Sequence, residues 1–142
     1  EGTVVAFTDG SCRGNPGPAG SGVVVELPDG QKIEASKALG RSTNNVAELT
    51  AIGMALDLLA ERDVPPETPT VIFTDSSYAE GVLVKGWKAK ANTELVRDLR
   101  QKLEARPGAR LQWVAGHVGV VGNERADVLA NRGVDGVTAQ TG

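Results

Sequence analysis

The amino-acid sequence predicts an α/β domain in which helices cover a mixed sheet, and three observations carry the prediction. Three β-patterned runs come first, after which helical and β-patterned runs alternate. One β phrase is spelled twice, as F-T-D-G-S at 7–11 and F-T-D-S-S at 73–77. The chain has 142 residues, 40% hydrophobic and 23% charged, which suits one compact domain spanning 1–142, with an ordered core at about 3–134 and a flexible tail at 135–142.

Taken in order, strands are expected near 3–9, 20–27 and 31–38. Pro28-Asp29-Gly30 turns the second into the third, so the first three strands make an antiparallel meander. Residues 45–62 have helical periodicity in Leu49, Ile52, Leu56 and Leu59, and Asp63 with Pro65-Pro66 ends the run. A strand at 70–75, a short helix from Ser76, a helix near 93–105, a strand at 110–115 and a helix at 122–133 complete the order.

In the repeated phrase, period-two alternation puts Val5, Phe7 and Asp9 on one face, and likewise Val71, Phe73 and Asp75. Each aspartate therefore ends an apolar face. A carboxylate in line with core side chains is costly to desolvate unless something pairs with it, and two of them suggest a shared cation. Glu48 follows the helical register of Ile52, Ala55 and Leu59 and so belongs to the buried face. It is equally the fourth residue of a capping box begun by Asn45, and helix periodicity alone does not separate these readings. Asp127 borders the stripe Ala126, Leu129 and Ala130, where a first-turn acid is also favoured by the helix dipole.

No run approaches eighteen apolar residues, and no basic region followed by an apolar stretch opens the chain, so neither a membrane span nor a signal peptide is expected. The chain begins at Glu1, as expected of a trimmed or excised segment. Cys12 is the only cysteine, which excludes an intrachain disulfide and points to a reducing, cytoplasmic home. The net charge of −3 alone argues against a nucleic-acid binder. Its distribution argues the other way. Between Lys85 and Arg110 eight basic residues face three acidic ones, a local +5 that leaves −8 on the rest. The Lys/Arg face after residue 94 reads as a solvated helix surface. In G-W-K-A-K at 86–90, by contrast, Trp87 flanked by Lys88 and Lys90 is a plausible grip for a phosphate backbone.

Five motifs in order, T-D-G-S-C-R-G-N-P-G, T-N-N-V-A-E-L-T-A, T-D-S-S-Y, G-H-V-G and G-N-E-R-A-D, resemble type 1 ribonuclease H over residues 3–133. The resemblance implies a ribonuclease H-like fold with a five-stranded mixed sheet, three strands antiparallel and then two parallel. It implies that Asp9, Glu48, Asp75 and Asp127 meet at one edge of that sheet and hold two Mg²⁺ ions, for which Mn²⁺ may substitute. Hard, octahedral Mg²⁺ takes carboxylate, water and phosphate oxygens in preference to His or Cys. Two ions ~3.5–4 Å apart can activate water and stabilise a leaving oxygen. His117, the only histidine, is implied as a proton shuttle or an aid to product release, although Val118 departs from the small or polar residue that often follows it.

The implied activity is endonucleolytic hydrolysis of the RNA strand of an RNA–DNA hybrid, leaving 5′-phosphate and 3′-hydroxyl ends, by a monomer without membrane partners. The implied 2′-hydroxyl readers are Asn15, Asn44 and Asn45. Arg41, Thr43 and Asn92 resemble a pocket for a DNA phosphate. The extra helix and basic protrusion of larger relatives are missing, which makes this a short form. A noncatalytic nucleic-acid-binding module and a DNA-acting nuclease of the same fold are the alternatives; the first would lack an acid, the second the T-N-N and G-N-P-G elements.

Overall fold

The computed structural model describes residues 2–115 and 120–142. Within them lie six strands and four helices: β1 (Val4–Cys12), β2 (Gly17–Glu26), β3 (Lys32–Ser42), α1 (Asn44–Glu61), β4 (Thr70–Thr74), α2 (Ser77–Leu83), α3 (Thr93–Glu104), β5 (Ala109–Trp113), α4 (Val121–Val134) and β6 (Ala139–Thr141). They form one mixed sheet in the order β5-β4-β1-β2-β3-β6. β1, β2 and β3 are antiparallel, as expected from the Pro28-Asp29-Gly30 turn, in which Gly30 takes a φ of 91° and Asp29 Oδ1 accepts from the Gln31 amide at 2.9 Å. β4 runs parallel to β1, and β5 parallel to β4.

The strand count corrects the expected five. β6 occupies part of the segment expected to be a flexible tail and pairs with β3 through Glu34, Ala35 and Ser36. Its sequence is polar and exposed, so no apolar alternation marks it, and it forms by completing an open sheet edge.

Helices cover both faces. Gly10 and Ser21 are register partners that face α1, and Ser21 Oγ donates to the Ala47 carbonyl at 2.7 Å. Asp9 and Gly22 are partners one residue along and so face the other way, where α4 packs. The main core lies on the α1 side, where Val4, Ala6, Val23, Val25, Ile33 and Ile72 meet Leu49, Ile52, Leu59, Val96 and Leu99. This corrects the expected core face of β1 and β4. Phe7 and Phe73 lie on the α4 side, only half-buried, stacked with ring centroids 5.4 Å apart, because the thinner α4 layer covers that face incompletely.

Candidate active site

The repeated phrase lies side by side in space. Phe7 and Phe73 are register partners on adjacent parallel strands, and the same count of residues carries the chain from each to Asp9 and Asp75. Both aspartates therefore reach the same level on adjacent interior strands of the sheet, Asp9 within β1 and Asp75 just past the carboxyl end of β4.

Two glycines let the helices bring their acids to the same place. A Cβ on Gly10 would lie 2.4 Å from the Glu48 nitrogen, so α1 crosses β1 in contact with its backbone. Thr43 supplies the N-cap of α1 by accepting from the Val46 amide, which removes the capping-box reading of Glu48. Instead Glu48 Oε1 accepts from the Gly10 amide at 3.1 Å, and the side chain is buried. On the opposite face, a Cβ on Gly22 would lie 2.4 Å from the Ala126 carbonyl oxygen and the Ala130 nitrogen. That contact seats the turn of α4 bearing Asp127 beside Asp9, the register partner of Gly22. Asp127 is near enough to Asp9 to help hold its carboxyl above the ordinary range.

Asp9, Glu48 and Asp75 each present an oxygen within 4.8 Å of the others. Burial first, then the charge of Glu48, pushes the Asp9 carboxyl up to about 9. Burial, followed by the charge of Asp75, pushes Glu48 up to about 8 against the opposing bond from the Gly10 amide. Both acids resist ionisation because they are desolvated among like charges. An all-oxygen, negatively charged donor set of this kind fits a hard divalent cation, which removes the repulsion.

The remaining predicted residues divide into groups. Asn15 Oδ1 accepts from the Asn44 amide at 3.0 Å, which joins the β1–β2 turn to the start of α1, with Asn45 alongside and all three exposed. Arg41 is exposed at the end of β3, next to Thr43. Asn92 is bonded elsewhere: its Nδ2 donates to Tyr78 Oη at 3.4 Å. Trp87, Lys88 and Lys90 are exposed between α2 and α3, where no extra helix intervenes. His117 and Val118 lie outside the described residues. A cavity of about 450 Å³ between β3, β6 and α1 is lined by Met54, Leu58 and Gln140 and by none of the predicted site residues.

Trp113 was not legible as a site residue. Its Nε1–H donates to the Asp75 carbonyl at 3.1 Å, fixing the backbone of that aspartate just beyond the end of β4. Only the β4–β5 register, which pairs Thr74 with Trp113, reveals the contact.

The sequence matches the RNase H family profile over residues 1–135. The chain belongs to the RNase H family. It is 42% identical to a ribonuclease H of Verminephrobacter eiseniae, with 93% of this chain and 90% of that one aligned. It is 41% identical to ribonuclease HI of Pseudomonas putida, with 97% of each covered. Among solved structures, the N-terminal RNase H domain of a Mycobacterium tuberculosis protein superposes with a TM-score of 0.80 at 32% identity, covering 94% of both chains. LC11-RNase H1 in complex with an RNA/DNA hybrid gives a TM-score of 0.78 at 32% identity, covering 94% of this chain and 97% of that one. The chain is thus an RNase H enzyme, and its six-stranded sheet is the RNase H fold.

Proposed function

We propose that this RNase H hydrolyses the RNA strand of RNA–DNA hybrids, leaving 5′-phosphate and 3′-hydroxyl ends, as a cytoplasmic monomer. The observation that carries the reading is the convergence of Asp9, Glu48 and Asp75 from three separate places in the chain, with Asp127 near enough to act on Asp9. The hybrid held by the similar LC11-RNase H1 supports the substrate class.

Asp9, Glu48, Asp75 and Asp127 would hold two divalent ions, Mg²⁺ or Mn²⁺. Bound there, such ions supply Lewis-acid chemistry that activates a water and stabilises the leaving oxygen of the phosphodiester. The chain's own contribution is preorganisation. Gly10 aims Glu48, Gly22 admits Asp127 and Trp113 fixes Asp75, so the acids need little rearrangement to act together. Asn15, Asn44 and Asn45 form an exposed polar edge suited to reading 2′-hydroxyls. Arg41 and the lysines of the 84–92 segment are exposed cations that suit phosphates, and Thr43 and Asn92 are the further polar groups assigned to phosphate contact. His117 is assigned proton transfer, and His117→Ala is expected to lower turnover about 10²-fold with hybrid binding retained.

Strand-labelled RNA–DNA, RNA–RNA and DNA–DNA duplexes, incubated with Mg²⁺ or with chelator, test the reading. Cleavage confined to the RNA strand of the hybrid and dependent on metal is expected. Equal cutting of the DNA duplex would overturn it in favour of a DNA-acting nuclease.

A further inference from the structure

Arg100 was counted among the basic residues of the 85–110 stretch, yet its guanidinium is occupied by the protein's own backbone. Nε and Nη2 donate to the Val82 carbonyl at 2.9 and 2.7 Å, and Nη2 also donates to the Trp87 carbonyl at 3.2 Å. Val82 lies in the last turn of α2, whose end carbonyls have no partner within the helix and favour a nearby cation. Trp87 begins the stretch that carries Lys88 and Lys90. Its amide donates to the Gly81 carbonyl at 2.9 Å, and a Cβ on Gly81 would fall 2.0 Å from the Trp87 ring, so the indole lies directly on the glycine. At the far end, Tyr78 Oη donates to the Ala91 carbonyl at 3.5 Å. The nine residues from 84 to 92 have no helix or strand of their own, and these contacts pin them at both ends.

We propose that Arg100 is a positioning residue for the nucleic-acid contact: by bridging the Val82 and Trp87 carbonyls it holds Trp87, Lys88 and Lys90 in one exposed pose, without itself touching phosphate. The proposal rests on the reading of this protein as a binder of hybrid duplex. Ordering a free loop at the moment of binding costs affinity, and ordering it beforehand removes that cost. The planar fork of the guanidinium grips the Val82 carbonyl with Nε and Nη2 and so holds Nη2 in place for the Trp87 carbonyl, a fixed orientation that a flexible ammonium does not supply. Other basic residues of the stretch are likewise occupied: Lys102 pairs with Asp57 and Asp98, and Arg106 donates to the Val64 and Pro65 carbonyls. Lys88 and Lys90 are exposed in the segment that Arg100 braces.

A double-mutant cycle tests this. Arg100→Met, Lys88→Ala/Lys90→Ala and their combination are assayed for KM and kcat on a labelled hybrid, with Arg100→Lys as the conservative variant. The protein has two tryptophans, so 5-fluorotryptophan labelling gives one ¹⁹F resonance for Trp87, read without nucleic acid. Arg100→Met is expected to raise KM about 10-fold with kcat within about 2-fold, to shift or broaden the Trp87 resonance, and to have no further effect once Lys88 and Lys90 are gone. Arg100→Lys is expected to restore only part of the affinity. Additive losses with an unmoved Trp87 resonance would make Arg100 a direct phosphate ligand and overturn the proposal, as would an unchanged KM. Failure of the unaltered protein to bind hybrid at all would contradict the proposed function itself, and a perturbed Trp87 resonance would then report loop order alone, removing the nucleic-acid role of Arg100.

Discussion

The Gly10 amide donates to Glu48 Oε1 at 3.1 Å, so the residue that follows Asp9 in β1 aims the α1 carboxylate at the same site. Glu48 therefore has two duties that substitution can separate. Glu48→Gln keeps an acceptor for the amide and removes the ionisable carboxyl. It is expected to melt no lower than the parent without metal, while cleavage falls ~10³-fold, the factor equivalent to about 4 kcal/mol of lost transition-state stabilisation. Glu48→Ala leaves the buried Gly10 amide unpaired and is expected to lose ~1–3 kcal/mol of stability as well. Thermal melts of the two variants side by side distinguish a ligand that is also a strut from a strut alone.

The raised carboxyls set a pH dependence of stability. Asp9 and Glu48 hold protons in the folded state up to about 9 and about 8, against ordinary values of 3.8 and 4.5. Between those limits the folded protein binds more protons than the unfolded chain, so stability is full at low pH and is lost as pH rises. Each group contributes a slope of up to ~1.4 kcal/mol per pH unit within the window. Metal-free melting temperature is expected to fall from pH 5 to pH 9, and saturating Mg²⁺ to flatten the profile. A metal-free profile that rises over this range would mean that the acids are not crowded.

Gly10→Ala and Gly22→Ala each place a methyl group 2.4 Å from helix backbone, one against α1 and one against α4. Backbone cannot rotate away as a side chain does. Each variant is expected to lose about 1–3 kcal/mol, seen in denaturant melts, and to lose cleavage disproportionately because Glu48 or Asp127 is pushed from the cluster. Loss of stability with full activity in the residual folded protein would show that these glycines serve packing only.

The convergence of Asp9, Glu48 and Asp75 was legible in the sequence because each of the three sits at a fixed offset within a motif and on a patterned element. Other roles were not legible, most of them because they are set by partners distant along the chain. Thr43 is the cap of α1 where Asn45 was weighed, since either residue type can cap and the entry geometry from β3 decides. Arg100 and Lys102 read as surface charge, yet they bond to groups on α2, on the 84–92 segment and on α1. β6 carries no alternation at all, and only the open edge of β3 selects it.

Trp113→Phe keeps most of the ring and removes the donor to the Asp75 carbonyl. One hydrogen bond of ~1 kcal/mol corresponds to a factor of about 5, so the Mg²⁺ concentration giving half-maximal thermal stabilisation is expected to rise by about that factor. Cleavage at saturating Mg²⁺ is expected to remain within about 2-fold. An unchanged Mg²⁺ requirement would reduce Trp113 to a packing residue.

The central claim is that the twice-spelled F-T-D serves a metal site and not the folding of two strands. Its most direct test is the metal-free melting temperature of Asp9→Asn, read together with the added stabilisation from Mg²⁺ and the rate of hybrid cleavage. Asparagine removes a carboxyl that on folding must either take up a proton or ionise among like charges, and is expected to raise the metal-free melting temperature, shrink the Mg²⁺ increment and lower cleavage ~10³-fold or more. A variant that melts earlier without metal and still cuts the hybrid would contradict the account.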